Sequence, residues 1–197
     1  MKQTILGVLL LACVNVQAQE KTPPQHELAI SYGYPTIAFV PSQNNDPNCD
    51  TFKDAWYGKE KEFGPLSIEY YHRSSRLLSI GGIFTLINQK RDITQNNQKI
   101  GHESKTYYSL MPAIKLSWLR GECIALYSKA ALGVCFRPAT EKGVDTEGVK
   151  VDKSNFEIGP MYHLTLLGLE VGGRLRAFGE LGFGAKGVYS AGLRYQF

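Results

Sequence analysis

The chain has 197 residues, a formal net charge of +4, 43% hydrophobic residues, 11% aromatic and 20 glycines. That aromatic content and small charge exclude a long disordered chain, and a dispersed positive excess is too weak for a nucleic-acid patch. Past the N-terminal segment no apolar run approaches the roughly 18 residues of a membrane-spanning helix.

Met1-Lys2 precedes the apolar stretch Ile5 to Val14, and Val16-Gln17-Ala18 sets small side chains at −3 and −1 of a cut before Gln19. This is the order of a cleaved secretory signal, so residues 1–18 are expected to be removed and 19–197 to form one domain. Leu10-Leu11-Ala12-Cys13 leaves lipoprotein processing at Cys13 as an alternative. Cleavage deletes Lys2 and no acid, leaving a charge of +3.

Eight segments then alternate with period two, each with one apolar and one polar or small face. Leu28, Ile30, Tyr32 and Tyr34 oppose Ala29, Ser31 and Gly33. Leu66, Ile68 and Tyr70 oppose Ser67, Glu69 and Tyr71; Leu78, Ile80, Phe84 and Leu86 oppose Ser79, Gly81 and Thr85. Tyr108, Leu110, Ile114, Leu116 and Trp118 oppose Ser109, Ala113, Lys115 and Ser117. Ile124, Leu126, Ala130, Leu132, Val134 and Phe136 oppose Ala125, Tyr127, Lys129 and Gly133. From Phe156 to Val171 the parity breaks between Leu166 and Leu167, which a β-bulge near Gly168 would reconcile. Ala177, Gly179, Leu181 and Phe183 oppose Arg176, Phe178, Glu180 and Gly182. In the last segment Tyr189, Ala191, Leu193, Tyr195 and Phe197 oppose Ser190, Gly192, Arg194 and Gln196.

Connections alternate in length. Ser74-Ser75-Arg76, Arg120-Gly121-Glu122 and Gly172-Gly173 are tight turns, whereas residues 36–64, 92–105 and 140–155 read as long polar loops and Ala185-Lys186-Gly187 as a short one. A helical turn is expected around Asp50 to Gly58. Short turns at one end and longer loops at the other describe an all-β, eight-stranded antiparallel up-and-down barrel of the transmembrane type, with the short turns periplasmic.

Alternation alone does not say which face is outside. A soluble, lipocalin-like barrel would point its apolar face inward around a ligand. The inverted arrangement is favoured because the polar face is rich in Gly, Ala and Ser, and eight strands leave little interior room. Aromatic residues also gather at the ends of the apolar face: Trp118, Tyr195 and Phe197 at one, Tyr108 and Tyr34 at the other, as in bilayer girdles.

Charges on the polar face converge. Centring the last hairpin on Gly187 sets Glu180 opposite Arg194, and centring the one before on Gly173 sets Glu170 opposite Arg176. Centring the middle turn on Glu122 sets Lys115 beside Lys129, two like charges that need acids from across the lumen. Glu27 and Glu69 share that parity. The set Glu27, Glu69, Glu170 and Glu180 against Lys115, Lys129, Arg176 and Arg194 predicts a closed, charge-filled lumen.

The tail, Phe178 to Gly184 (Phe-Gly-Glu-Leu-Gly-Phe-Gly) with Val188 to Phe197 (Val-Tyr-Ser-Ala-Gly-Leu-Arg-Tyr-Gln-Phe), resembles the small OmpA/OmpX-like outer-membrane barrels in their Bacteroidota form. The resemblance covers residues 26–197. It implies that Tyr189, Leu193, Tyr195 and Phe197 form the signal read by the barrel assembly machinery. It implies an outer-membrane place among lipid and lipopolysaccharide, with no particular reaction.

Chemistry is sparse. His72-Arg73-Ser74 has the spacing of the His-x-Ser pair of outer-membrane lipid A deacylases, but the expectation is no catalysis, because His72 falls on the apolar face beside a turn. His26 starts the first strand, His102 lies in a loop, and His163 is expected at the interface. Cys123 and Cys135 are too far apart on one strand to pair; Cys49 with Cys135 is possible, with unpaired packing cysteines the alternative. No cofactor, metal or nucleic acid is expected, and a monomer is. The expected role is structural or surface-interacting through residues 36–64, with Trp56 and Tyr57; the alternatives are a narrow channel, a lipid-modifying enzyme or a soluble ligand-binding barrel.

Overall fold

A computed structural model describes residues 24–35, 56–57, 61–95, 98–144 and 150–197. The strands are β1 (His26–Tyr34), β2 (Trp56–Tyr57), β3 (Lys61–Arg73), β4 (Leu78–Gln95), β5 (Gln98–Arg120), β6 (Ile124–Val144), β7 (Lys150–Gly172), β8 (Leu175–Gly184) and β9 (Tyr189–Gln196). All but β2 form one closed antiparallel barrel of eight strands. Each pairs with its neighbour in sequence, and β1 closes the ring against β9. Closure leaves the barrel body without an open edge.

The alternation places side chains as the sequence pattern expects. In β1 the burial runs strictly in and out, and β9 does the same with Ser190, Arg194 and Gln196 inside. The apolar residues point outward: Ile30, Ile114, Leu132 and Leu193 are 50, 53, 68 and 51% exposed. The interior is therefore the polar face, and the barrel is inverted relative to a soluble one.

Bulges adjust this pattern at several places, two of which shape the lumen toward the turn end. In β7 the register shifts between Thr165 and Leu167, so Leu166 and Leu167 both point outward and the parity resumes. The bulge lies just before Gly168, and the hydroxyl of Ser128 donates to the Leu166 carbonyl at 2.5 Å. Gly168 is required there for a different reason: a Cβ at this position would stand 2.4 Å from the Tyr127 ring, which lies across it inside the barrel. The second bulge, in β5 between Ser117 and Leu119, turns both Trp118 and Leu119 outward and swings Arg120 back in.

Several expectations need correction. Residues 92–105 and 140–155 are largely strand: β4 and β5 stay paired up to Gln95 and Gln98, and β6 and β7 up to Val144 and Lys150. β5 and β7 each run 23 residues, about twice what spans a bilayer. Beyond the apolar belt neither face needs to be greasy, so the period-two signal vanishes while the paired backbone persists. Trp56–Tyr57, expected in a helical turn, instead pairs with Thr94 and Ile93 on the rim of β4. The rest of that expected turn, and most of the 36–64 loop, lie outside the described residues, as do residues 1–18, Cys13 and Cys49.

Two hairpin registers also differ. The β8–β9 turn occupies Gly184 to Gly187, so Glu180 sits opposite Ser190 and Arg194 opposite Arg176. In the β7–β8 hairpin Glu170 pairs with Phe178, and Arg176 with Gly172. Each correction is an even slip, so every side chain keeps its face. Lys115 does lie directly opposite Lys129.

Candidate functional site: the filled lumen

The two ends of the barrel differ: one carries the tight turns at 74–77, 121–123 and 173–174, the other the long hairpins. Toward the turn end, Arg194 stands fully buried in the lumen. Its guanidinium bonds to Glu170, lies 3.1 Å from Glu69 Oε2 and 3.7 Å from Glu27 Oε2, and reaches Glu180 at 4.0 Å. Around it the rings of Phe178, Tyr127 and Tyr71 pack with centroids 4.7, 5.0 and 5.8 Å from Cζ. Cations over aromatic faces are attracted most strongly where water is excluded.

The two adjacent lysines are separated by their choice of acids. Lys115 Nζ donates to Glu27 Oε2 and Glu170 Oε1, both at 2.7 Å. Lys129 Nζ donates to Glu69 and Glu180, both at 2.6 Å. Each carboxylate thus bridges at least two cations, and Glu180 also accepts from the Tyr127 hydroxyl at 2.6 Å and the Ser190 hydroxyl at 3.0 Å. Such multiple, charge-assisted hydrogen bonding is what buried charges require. Arg176 approaches Glu170 at 3.5 Å despite the corrected register, while donating to the carbonyls of Gly173, Gly121 and Glu122.

Sequence reasoning missed Lys186 in this network, and Arg73 and Arg120 at its edge beside Glu27. Lys186, read as part of a short connection, is 1% exposed: the β8–β9 turn folds into the barrel mouth, and its ammonium bonds to Glu69 and lies 2.7 Å from Glu180 Oε2. Gly33 makes the inward fold possible, since a Cβ there would meet the Lys186 carbonyl oxygen at 1.8 Å. The only hint in the sequence is a lysine set between glycines in an otherwise short connection.

Beyond the ion pairs, toward the hairpin end, the filling becomes apolar. Ile83, Met111, Ala113, Ala131, Cys135, Met161 and Ala185 form one buried cluster with Tyr71. Cys135 therefore packs inside the barrel, and its pairing with Cys49 concerns a residue outside those described. His163, expected at the interface, points inward, 2% exposed, with Nε2 3.0 Å from the Thr165 hydroxyl. It precedes the β7 bulge, so it shares the inner parity of Met161 and Thr165.

The remaining candidates lie on the outer wall. Tyr189, Leu193, Tyr195 and Phe197 all face outward. The Phe197 ring stacks between Tyr195 and His26, with centroids 5.8 and 5.5 Å away, and its backbone exchanges two 2.9 Å hydrogen bonds with His26. His72 faces outward beside the His26 ring, 5.0 Å between centroids. Ser74 sits past the end of β3, its N–H donating to the Leu78 carbonyl.

No family model and no curated protein matches the chain. Among solved structures it is similar to Ail, the attachment invasion locus protein of Yersinia pestis, in complex with the heparin analogue sucrose octasulfate. That match has 16% identity over 88% of this chain and 99% of that one, with a TM-score of 0.49. A second structure of Ail matches at 13% identity over 89% and 100%, with a TM-score of 0.46. At such identities the likeness concerns fold, and the eight-stranded closure rests on this chain's own strand pairing.

Proposed function

We propose that the mature chain is a closed outer-membrane barrel of a Gram-negative bacterium, OmpA/OmpX-like in the Bacteroidota manner, with a structural and surface-interaction role. One observation carries this reading: an unbroken belt of exposed Leu, Ile, Val, Phe and Tyr side chains surrounds an interior of buried, mutually paired charges. A belt of this extent far exceeds the apolar patches soluble monomers expose, and a lumen filled by side chains argues for a sealed body rather than a pore. In this reading residues 1–18 direct export. The tail ending in Tyr195 and Phe197 is handed to the barrel assembly machinery, and lipopolysaccharide surrounds the outer half.

The hairpin end supplies the surface. Between Lys150 and Met161, β7 is paired with β6 on one side, while on the other side the first contact is the Tyr162 carbonyl, which accepts from the Ala185 N–H at 2.9 Å, and β8 joins from His163 onward. Among the described residues, that stretch offers a free backbone edge beside the exposed Phe156 and Ile158. A free edge with apolar neighbours suits strand addition by an extended partner segment. No reaction, cofactor or metal belongs to this reading.

Isolated outer membranes run in SDS with and without boiling test it. Faster migration of the unboiled band in the outer-membrane fraction is expected from a closed, detergent-resistant barrel. A periplasmic band with no shift would overturn the assignment. Silent single-channel recordings are expected, and steady conductance would replace the sealed body with a channel.

A further inference from the structure

The lumen charges do not cancel at the turn end. The four acids Glu27, Glu69, Glu170 and Glu180 are met at close range by four cations, Lys115, Lys129, Lys186 and Arg194. Three further guanidiniums, Arg73, Arg120 and Arg176, then crowd the turn-end mouth of the same lumen. Arg73 Nη2 and Arg120 Nη2 both approach one oxygen, Glu27 Oε1, and both stop at 3.9 Å; Gln196 Nε2 lies 3.4 Å from that oxygen, and Lys115 holds the other one. Arg73 Nε and Arg120 Nη1 are shielded from solvent and have no acceptor among the described residues. Arg176 is fastened by backbone carbonyls of the two neighbouring turns, Gly121 and Glu122 in one and Gly173 in the other, which holds its charge at the rim.

The convergence is built rather than incidental. Arg120 would point outward on the parity of Trp118; the bulge at Trp118–Leu119 is what brings it to the inside. Its Nη2 is then braced by the Ser117 hydroxyl at 2.8 Å. Three like charges in a partly dehydrated mouth repel one another, and an anion with several acceptor oxygens relieves that repulsion while satisfying the idle N–H groups.

We propose that Arg73, Arg120 and Arg176 form a binding site for a tetrahedral oxyanion, a phosphate or phosphate monoester, entering from the turn end of the barrel. Planar guanidiniums with several N–H donors suit phosphate oxygens better than lysine ammoniums do. The site rests on the barrel interior and the strand register, independent of the compartment in which the protein resides.

The test uses the full mature protein folded in phosphate-free detergent micelles and titrated with inorganic phosphate by calorimetry. Saturable binding is expected, weakened about tenfold in Arg73→Gln and again in Arg120→Gln, the scale of one lost charge-assisted hydrogen bond each. Arg76→Gln, which removes the same charge from the exposed turn at the same end, should leave it unchanged. The SDS shift confirms that each variant is folded; should Arg120→Gln fail to fold, Arg73→Gln carries the comparison. Binding in micelles without phospholipid identifies a soluble oxyanion. A site filled only in nanodiscs containing phosphatidic acid identifies the same phosphate monoester chemistry on a lipid headgroup. No saturable binding in either setting, or equal weakening in Arg76→Gln, would overturn the site.

Discussion

The two halves of the lumen solve the same packing problem with opposite chemistry. Toward the turns, the space is filled by Arg194, Lys115, Lys129 and four glutamates, every charge touching several partners. Toward the hairpins it is filled by Ile83, Ile87, Met111, Met161 and Cys135, with no need of exact pairing. Lys186 reaches across the border, entering from the hairpin side to join the charges. Apolar filling tolerates changes of shape, because flexible methionine and isoleucine repack. An ion network tolerates little, because removing one member strands the others in a medium that solvates them poorly. The charged half therefore imposes one register and one arrangement of β1, β3 and β5–β9, while the apolar half supplies bulk.

The largest expected effect follows from deleting the hub. Arg194→Ala should cost about 3–5 kcal/mol, the usual scale for breaking a buried charge network, read by urea unfolding in bilayers. A loss no larger than that of an ordinary surface substitution would show that the lysines suffice without the arginine. Comparing Glu69→Gln with the double variant Glu69→Gln, Lys129→Gln sharpens the contrast. Removing both members should cost less than the two single losses added together, by about 1–3 kcal/mol of coupling. Strict additivity would mean that the pair does not act as a unit.

At the border, Gly33→Ala should cost about 1–3 kcal/mol through overpacking, since the new methyl meets the Lys186 carbonyl and forces the turn outward. Retained stability would mean that the turn can leave the mouth freely. The smallest effect belongs to the apolar half: Ile83→Val should cost about 0.5–1.5 kcal/mol. A cost there matching that of Arg194→Ala would erase the distinction between the halves.

The barrel was legible in the sequence because an inverted barrel in a narrow lumen forces strict alternation. In β1 and β9 every second residue must fit beside Arg194 or face the apolar surroundings. The Lys115–Lys129 register was legible because three residues at Gly121 allow few turn centres. The last two hairpins were read with their centres displaced, since glycines flank both turns and the pattern is indifferent to an even slip. Lys186 was hidden because turn residues are expected in water, and nothing in a local pattern announces a turn folded into a mouth. His163 and Arg120 were obscured by bulges, each of which reverses the parity on one side of it. The extended hairpins were hidden because strands above the apolar belt have two polar faces and no period.

The most direct test of the inverted barrel is spin-label accessibility in lipid vesicles. Single cysteines would replace Ile30, Leu132 and Leu193 in a background whose native cysteines are changed to alanine. A label at position 76, in the exposed turn, would serve as the aqueous reference. Labels at the three outer positions should be readily reached by oxygen and poorly by a water-soluble nickel chelate, with the reverse at 76. Nickel access at Leu132 and Leu193 equal to that at 76 would place the apolar face in water and contradict the account.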